Sequence, residues 1–121
     1  MGKLYLIRHG ESIGNVWEGA YANDECNFLS PYGVQQAQLC GAYLKRRNIT
    51  FGNVMSSGLT RARQTTSTIL HELNDWHRDW EIVEEFNELV GSSRVAECRR
   101  TFRQIIDNWD KKENLLIVTH Y

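Results

Sequence analysis

The chain holds a single proline and no apolar run long enough to cross a bilayer, so neither a proline-rich spacer nor a membrane-spanning helix is expected. It also lacks an excess of either charge. Fourteen Lys and Arg stand against fifteen Asp and Glu, a net charge of −1, so no global field draws it to nucleic acid and any basic group must act locally. Cysteine is scarce and odd in number: Cys26, Cys40 and Cys98 are widely spaced, with no CxxC pair and no HExxH. That pattern speaks against a disulfide framework or a metal site and suits reduced thiols filling a core. Met1-Gly2-Lys3 runs straight into an apolar segment with no space for a signal peptide, and Leu6 stands where a myristoylation signal carries Ser or Thr. The expected address is the cytoplasm. No partner membrane or nucleic acid is expected, nor any cofactor.

What is present is ordinary globular material. The 121 residues, 41% hydrophobic and 24% charged, suffice for one domain with a real core. Two β-rich apolar runs drive into a histidine: Lys3-Leu4-Tyr5-Leu6-Ile7-Arg8-His9 and Leu115-Leu116-Ile117-Val118-Thr119-His120. Short continuous apolar runs predict strands buried on both faces of a parallel sheet, where ligands sit at the carboxyl ends. Between them, Ser30-Pro31 signals a helix start, and Val34, Ala37, Leu39, Ala42, Tyr43 and Leu44 supply its apolar stripe. A strand over 53–56, a helix over 60–73, a weak strand over 81–84 and a helix over 94–109 complete the alternation. Strand alternating with helix predicts an α/β fold with a mainly parallel sheet and right-handed crossovers.

The strand ends carry the chemistry. Gly10 can turn the chain so that Arg8 and His9 reach one pocket despite their opposite faces in an extended strand. Ser57-Gly58 ends the second strand in a turn, and Arg61 falls in the first turn of the helix that follows. Helix dipole, backbone N–H groups and a planar guanidinium all favour an anion there. Two arginines and two histidines at strand ends therefore predict a phosphate pocket. Arg63 is read as a surface charge, His71 and His77 as solvated helix-end histidines, and Trp109 as core. The absence of GxSxG disfavours a serine hydrolase at Ser12 or Ser57.

Arg8-His9-Gly10-Glu11-Ser12 with Asn15 resembles the signature of the histidine phosphatase superfamily, the phosphoglycerate mutase-like enzymes. Leu29-Ser30-Pro31-Tyr32-Gly33, Ser56-Ser57-Gly58-Leu59-Thr60-Arg61-Ala62-Arg63-Gln64-Thr65 and Val118-Thr119-His120 resemble its later landmarks in the same order. The stretch 10–16 with Glu18 and Tyr21 is similar to a branch acting on small or broadly chosen phosphomonoesters. The resemblance implies a three-layer α/β/α fold and a metal-independent phosphatase with a small phosphorylated substrate. It implies His9 as nucleophile, with Arg8, Arg61, His120, Asn15 and Ser12 on the phosphoryl oxygens. Phosphoglycerate mutase-type transfer and a non-catalytic phosphate-binding module are the alternatives. The family places its acid after the third strand, where Phe86-Asn87-Glu88 matches hydrophobic-x-Glu best. Glu88 is the expected acid, with Glu85 and Glu84 as alternatives because the following glycine comes one residue early.

After the second histidine the resemblance implies a glycine and a further helix, whereas Tyr121 stands here. A domain incomplete at its C-terminus is the expectation, with one face of a central strand uncovered. A fragment, a second subunit covering the gap in a homo-oligomer, or a pocket retained with weak catalysis would each account for it.

Overall fold

The computed structural model of the chain describes residues 1–16, 27–87 and 92–120, with the backbone alone at 15, 16 and 92–94. The elements are β1 (Leu4–Arg8), a single turn α1 (Ile13–Val16), α2 (Pro31–Arg46), β2 (Asn53–Ser56), α3 (Thr60–Glu72), β3 (Glu81–Ile82), a 3-10 turn (Glu84–Phe86), α4 (Ser92–Asn108) and β4 (Leu115–Thr119). The third strand is shorter than its sequence suggests, because the chain leaves β-pairing after Ile82 and tightens into the 3-10 turn. Among the described residues the sheet is wholly parallel, in the order β1-β4-β2-β3. The steps β1 to β2 and β2 to β3 advance across it in one direction, with α2 and α3 on one face. The step from β3 to β4 runs back and places α4 on the other, as a single crossover hand requires. This is the three-layer α/β/α fold expected, and no helix among the described residues is long and apolar enough to cross a membrane.

Two clusters hold the layers together. Leu116 and Val118 of β4 pack with Val54, with Leu44 of α2, and with Ala62, Ile69 and Leu70 of α3. Leu115 and Ile117 point the other way, against Val83, Phe86 and the Cys98, Phe102 and Ile105 side of α4. Alternate strand residues face opposite sides, so β4 is buried on both. Burying each such aliphatic side chain contributes about 1.5–3 kcal/mol.

Two expectations fail here. The central strand is covered on both faces; the exposure falls on β1, where Leu6 is 58% exposed because this strand lies at the edge of the described sheet, although Leu6 lines a cavity with Cys98 and Phe102 of α4. On α2 the buried face is Gly33, Ala37, Gly41 and Leu44, while Leu39 and Tyr43 of the expected stripe are exposed. Small residues win that face because α2 lies too close to α3 for larger ones: a Cβ on Gly41 would stand 2.6 Å from Glu72 Cβ and 3.1 Å from the Ile69 carbonyl oxygen. The start of α2 follows expectation, with Ser30 Oγ accepting from the Gly33 amide at 3.0 Å and Pro31 in the first turn. Arg63, His71 and His77 are exposed, and Trp109 packs on the α4 side of the core.

Candidate active site

Strands β1, β4 and β2 end side by side, and their last hydrogen bonds lock the residues beyond them. The His9 amide donates to the Thr119 carbonyl at 3.0 Å, and the Ser57 amide to the Val118 carbonyl at 3.0 Å. His9 and His120 thus meet, their ring centroids 4.9 Å apart at 60°. His9 is 7% exposed. Its Nδ1 lies 2.6 Å from the Gly10 carbonyl oxygen, which can only accept, so Nδ1 carries a proton, and in the neutral form of the ring the lone pair falls on Nε2.

The turn at Gly10 lies in close contact with the start of α2. A Cβ on Gly10 would stand 2.5 Å from the Gly33 carbonyl oxygen, and one on Gly33 would meet the Glu11 carbonyl. The two glycines let the loop after β1 lie against the start of α2. Ser30 Oγ donates to Glu11 Oε1 at 2.8 Å, and Gln36 Oε1 accepts from the Glu11 amide at 2.8 Å. On the other side the Gly10 amide donates to Thr65 Oγ1 at 3.0 Å, and Thr65 Oγ1 donates to the Arg61 carbonyl at 2.8 Å. Thr65 therefore ties the loop after His9 to the helix turn that bears Arg61. Arg61 itself is 6% exposed, at the start of α3.

Arg8 is exposed but lines, with His9, Gly10, Glu11, Gln36 and Thr65, a cavity of about 650 Å³ between β1 and α2. The glycine turn thus brings Arg8 and His9 to one cavity, whereas Arg61 and His120 lie outside its lining. His120 shares a hydrogen bond through Nε2 with Ser57 Oγ at 2.9 Å and lines a second, apolar cavity of about 170 Å³ on the α4 side. Ser12 is fully buried and pairs with Leu29 in an antiparallel bridge. The Asn15 side chain and Glu88 lie outside the described residues, as do Glu18, Tyr21 and Cys26. The alternatives Glu84 and Glu85 sit exposed on the 3-10 turn, and the Glu84 carboxylate covers Gly58, 2.6 Å from where a Cβ would stand.

Sequence reasoning missed four side chains that hold this arrangement. Gln64 Oε1 accepts from the Leu29 amide at 2.7 Å. Ser57 holds His120, Thr65 holds Gly10, and Asn87 Oδ1 accepts from the Gly58 amide at 2.6 Å. All four stand in or beside the motifs; which chain they would meet is a tertiary fact with no local signal. Burial raises the thiol pKa of Cys40, on the wall of the larger cavity, and that of Cys98. Chemically, an imidazole whose Nδ1 is engaged by a carbonyl stands beside a second imidazole, with Arg8 at the end of β1 and Arg61 in the first turn of α3, an arrangement suited to an anionic electrophile.

Comparison with known proteins agrees with this fold. The model of the histidine phosphatase superfamily (branch 1) matches residues 4–114; β4 and His120 lie beyond that span. A broad-specificity phosphatase of Saccharomyces cerevisiae is 40% identical over 68 residues, 56% of this chain and 29% of that protein, so the chain spans under a third of its length. A phosphoglycerate mutase from Bacillus anthracis superimposes with a TM-score of 0.74 at 21% identity, over 97% of this chain and 74% of that one. A phosphoserine phosphatase from Entamoeba histolytica, solved with 3-phosphoglyceric acid, does so with a TM-score of 0.73 at 20% identity, over 100% and 75%. With its own β1, α2 and α3 landmarks inside the matched span, the chain belongs to the histidine phosphatase superfamily, branch 1.

Proposed function

We propose that the chain hydrolyses small phosphomonoesters in the cytoplasm, without a metal, through a phosphohistidine on His9. The observation that carries this is the Nδ1 bond to Gly10, which leaves Nε2 as the nucleophile. In the first step Nε2 attacks phosphorus in line, the bond to the ester oxygen breaks, and Glu88 gives that oxygen its proton. In the second step water attacks phosphorus, Glu88 takes the proton from water, the P–N bond breaks, and inorganic phosphate leaves with His9 restored. Arg8, Arg61 and His120, with hydrogen bonds from Ser12 and Asn15, offset the charge on the phosphoryl oxygens. One such donor is worth about 10²–10³ in rate. Support comes from family membership, from the burial of His9 and Arg61, and from the contact of the two imidazoles.

The test is phosphate release from a panel of phosphomonoesters in the presence of EDTA. Release is expected from the native chain, with a loss of about 10³-fold or more in His9→Ala, since the residue that forms the covalent bond has gone. An acid-labile, alkali-stable phosphoprotein should accumulate during turnover. Abolition by chelator, or activity that survives His9→Ala, overturns the mechanism. Movement of the phosphoryl group between positions of a phosphoglycerate, in place of release, marks a mutase.

A further inference from the structure

The segment just before Glu88 is fastened to the site at two points, each beside His120 in the hydrogen-bond network. Thr119 Oγ1, one residue before His120, donates to the Phe86 carbonyl at 2.9 Å. Gly58, one residue after the Ser57 that bonds His120, donates its amide to Asn87 Oδ1 at 2.6 Å. The orientation of the Asn87 amide is set by its other end. Asn87 Nδ2 donates to Glu84 Oε2 at 2.9 Å, and a flipped amide would place its oxygen against that carboxylate and its NH₂ against the Gly58 N–H. Glu84 in turn is seated over Gly58, its carboxylate 2.6 Å from where a Cβ would stand.

We propose that Asn87 is a positioning residue for proton transfer: it anchors the chain that enters Glu88 to the turn after β2, and Glu84 serves to orient it. The inference rests on the assignment of Glu88 as the acid. A proton donor must reach the leaving oxygen at hydrogen-bond distance, and displacement by about 1 Å can cost on the order of 10²-fold in rate. An anchor one residue away limits that displacement without touching the substrate. Glu84, engaged with Asn87, is thereby given a role other than the proton transfer for which it was an alternative.

The experiment compares two esters in the full chain. A p-nitrophenolate leaves without protonation, whereas the alkoxide of glycerol 2-phosphate needs a proton, so in the phosphorylation step, which kcat/KM reports, loss of acid placement is felt on the second alone. Asn87→Ala is expected to lower kcat/KM on glycerol 2-phosphate about 10- to 100-fold, and to leave kcat/KM on p-nitrophenyl phosphate within about threefold. Glu88→Gln should show the same discrimination, and the double variant should be no slower than Glu88→Gln. Asn87→Asp keeps the acceptor for Gly58 but sets two carboxylates together; adding Glu84→Gln supplies a donor again and should restore the rate, which covers the case in which Asn87→Ala does not fold. An equal loss on both esters in Asn87→Ala, or no restoration in the paired variant, overturns the positioning role while Glu88 keeps its own. Absence of discrimination in Glu88→Gln itself, or of turnover in the native chain, overturns the acid assignment and the inference with it.

Discussion

Thr65 shows how much of the site depends on a single hydroxyl. It accepts from the Gly10 amide, donates to the Arg61 carbonyl, and is 2% exposed. Thr65→Val keeps the shape and removes both bonds, leaving a buried N–H without its acceptor, which costs about 1–3 kcal/mol. Urea denaturation should show that loss, and phosphatase turnover should fall with it because the loop bearing His9 is freed; Thr65→Ser should recover both. Cys40 permits a second prediction. Burial raises its thiol pKa, so at neutral pH it holds little thiolate. Peptide mapping after iodoacetamide treatment should find Cys40 alkylated more slowly than a free thiol at pH 7, with the rate rising as pH rises toward its pKa. A fast, pH-independent reaction would contradict this. His9, His120 and Arg61 were legible in the sequence because strand runs and a glycine turn announce where strands end. Thr65 and Asn87 were not, since a polar side chain in a motif does not disclose which distant amide it will meet.

At the scale of elements, α2 separates hydrophobicity from burial. Reading apolar residues at helical spacing placed Leu39 and Tyr43 inward, yet Leu39 is 70% exposed and the inward positions are Gly33, Ala37 and Gly41. Hydropathy ranks leucine above glycine, whereas close approach of two helices ranks volume first. The start and length of α2, by contrast, were readable, since the cap and Pro31 are local devices. Two substitutions separate the alternatives. Leu39→Lys should alter stability by no more than about 0.5 kcal/mol, as for other exposed sites. Gly41→Ala gains about 0.5–1 kcal/mol of helix propensity, but its methyl group would meet Glu72 Cβ at 2.6 Å, and overpacking costs about 1–3 kcal/mol. The net effect is destabilisation, readable as a lower urea midpoint. A Leu39→Lys protein that loses several kcal/mol would mean that this face is covered after all.

Across the whole molecule the sheet has an uneven distribution of support. β4 came last in the sequence but lies between β1 and β2, so the final apolar run completes both faces of the core and carries His120 to the site. The sequence pattern identified β1 and β4 as equivalent strands because both are continuous apolar runs; their order in the sheet, which decides burial, depends on crossovers that no local pattern encodes. The register makes a controlled comparison available, since Leu6 of β1 is paired with Ile117 of β4. Ile117 is 0% exposed and Leu6 58%. Truncating a buried isoleucine to alanine costs about 2–5 kcal/mol through lost transfer energy and the cavity left behind. A domain of this size has only about 5–15 kcal/mol of stability in total, so Ile117→Ala should remove a large part of it and shift the thermal midpoint by several degrees or more. Leu6→Ala, with most of its side chain already in water, should cost less than about 1 kcal/mol by the same area argument. Because β4 joins the α2–α3 cluster to the α4 cluster, Ile117→Ala should lower the near-UV and far-UV circular dichroism transitions together. Separate transitions would show instead that the two faces of the sheet unfold independently, and that β4 does not couple the core to the strand ends that hold His9 and His120.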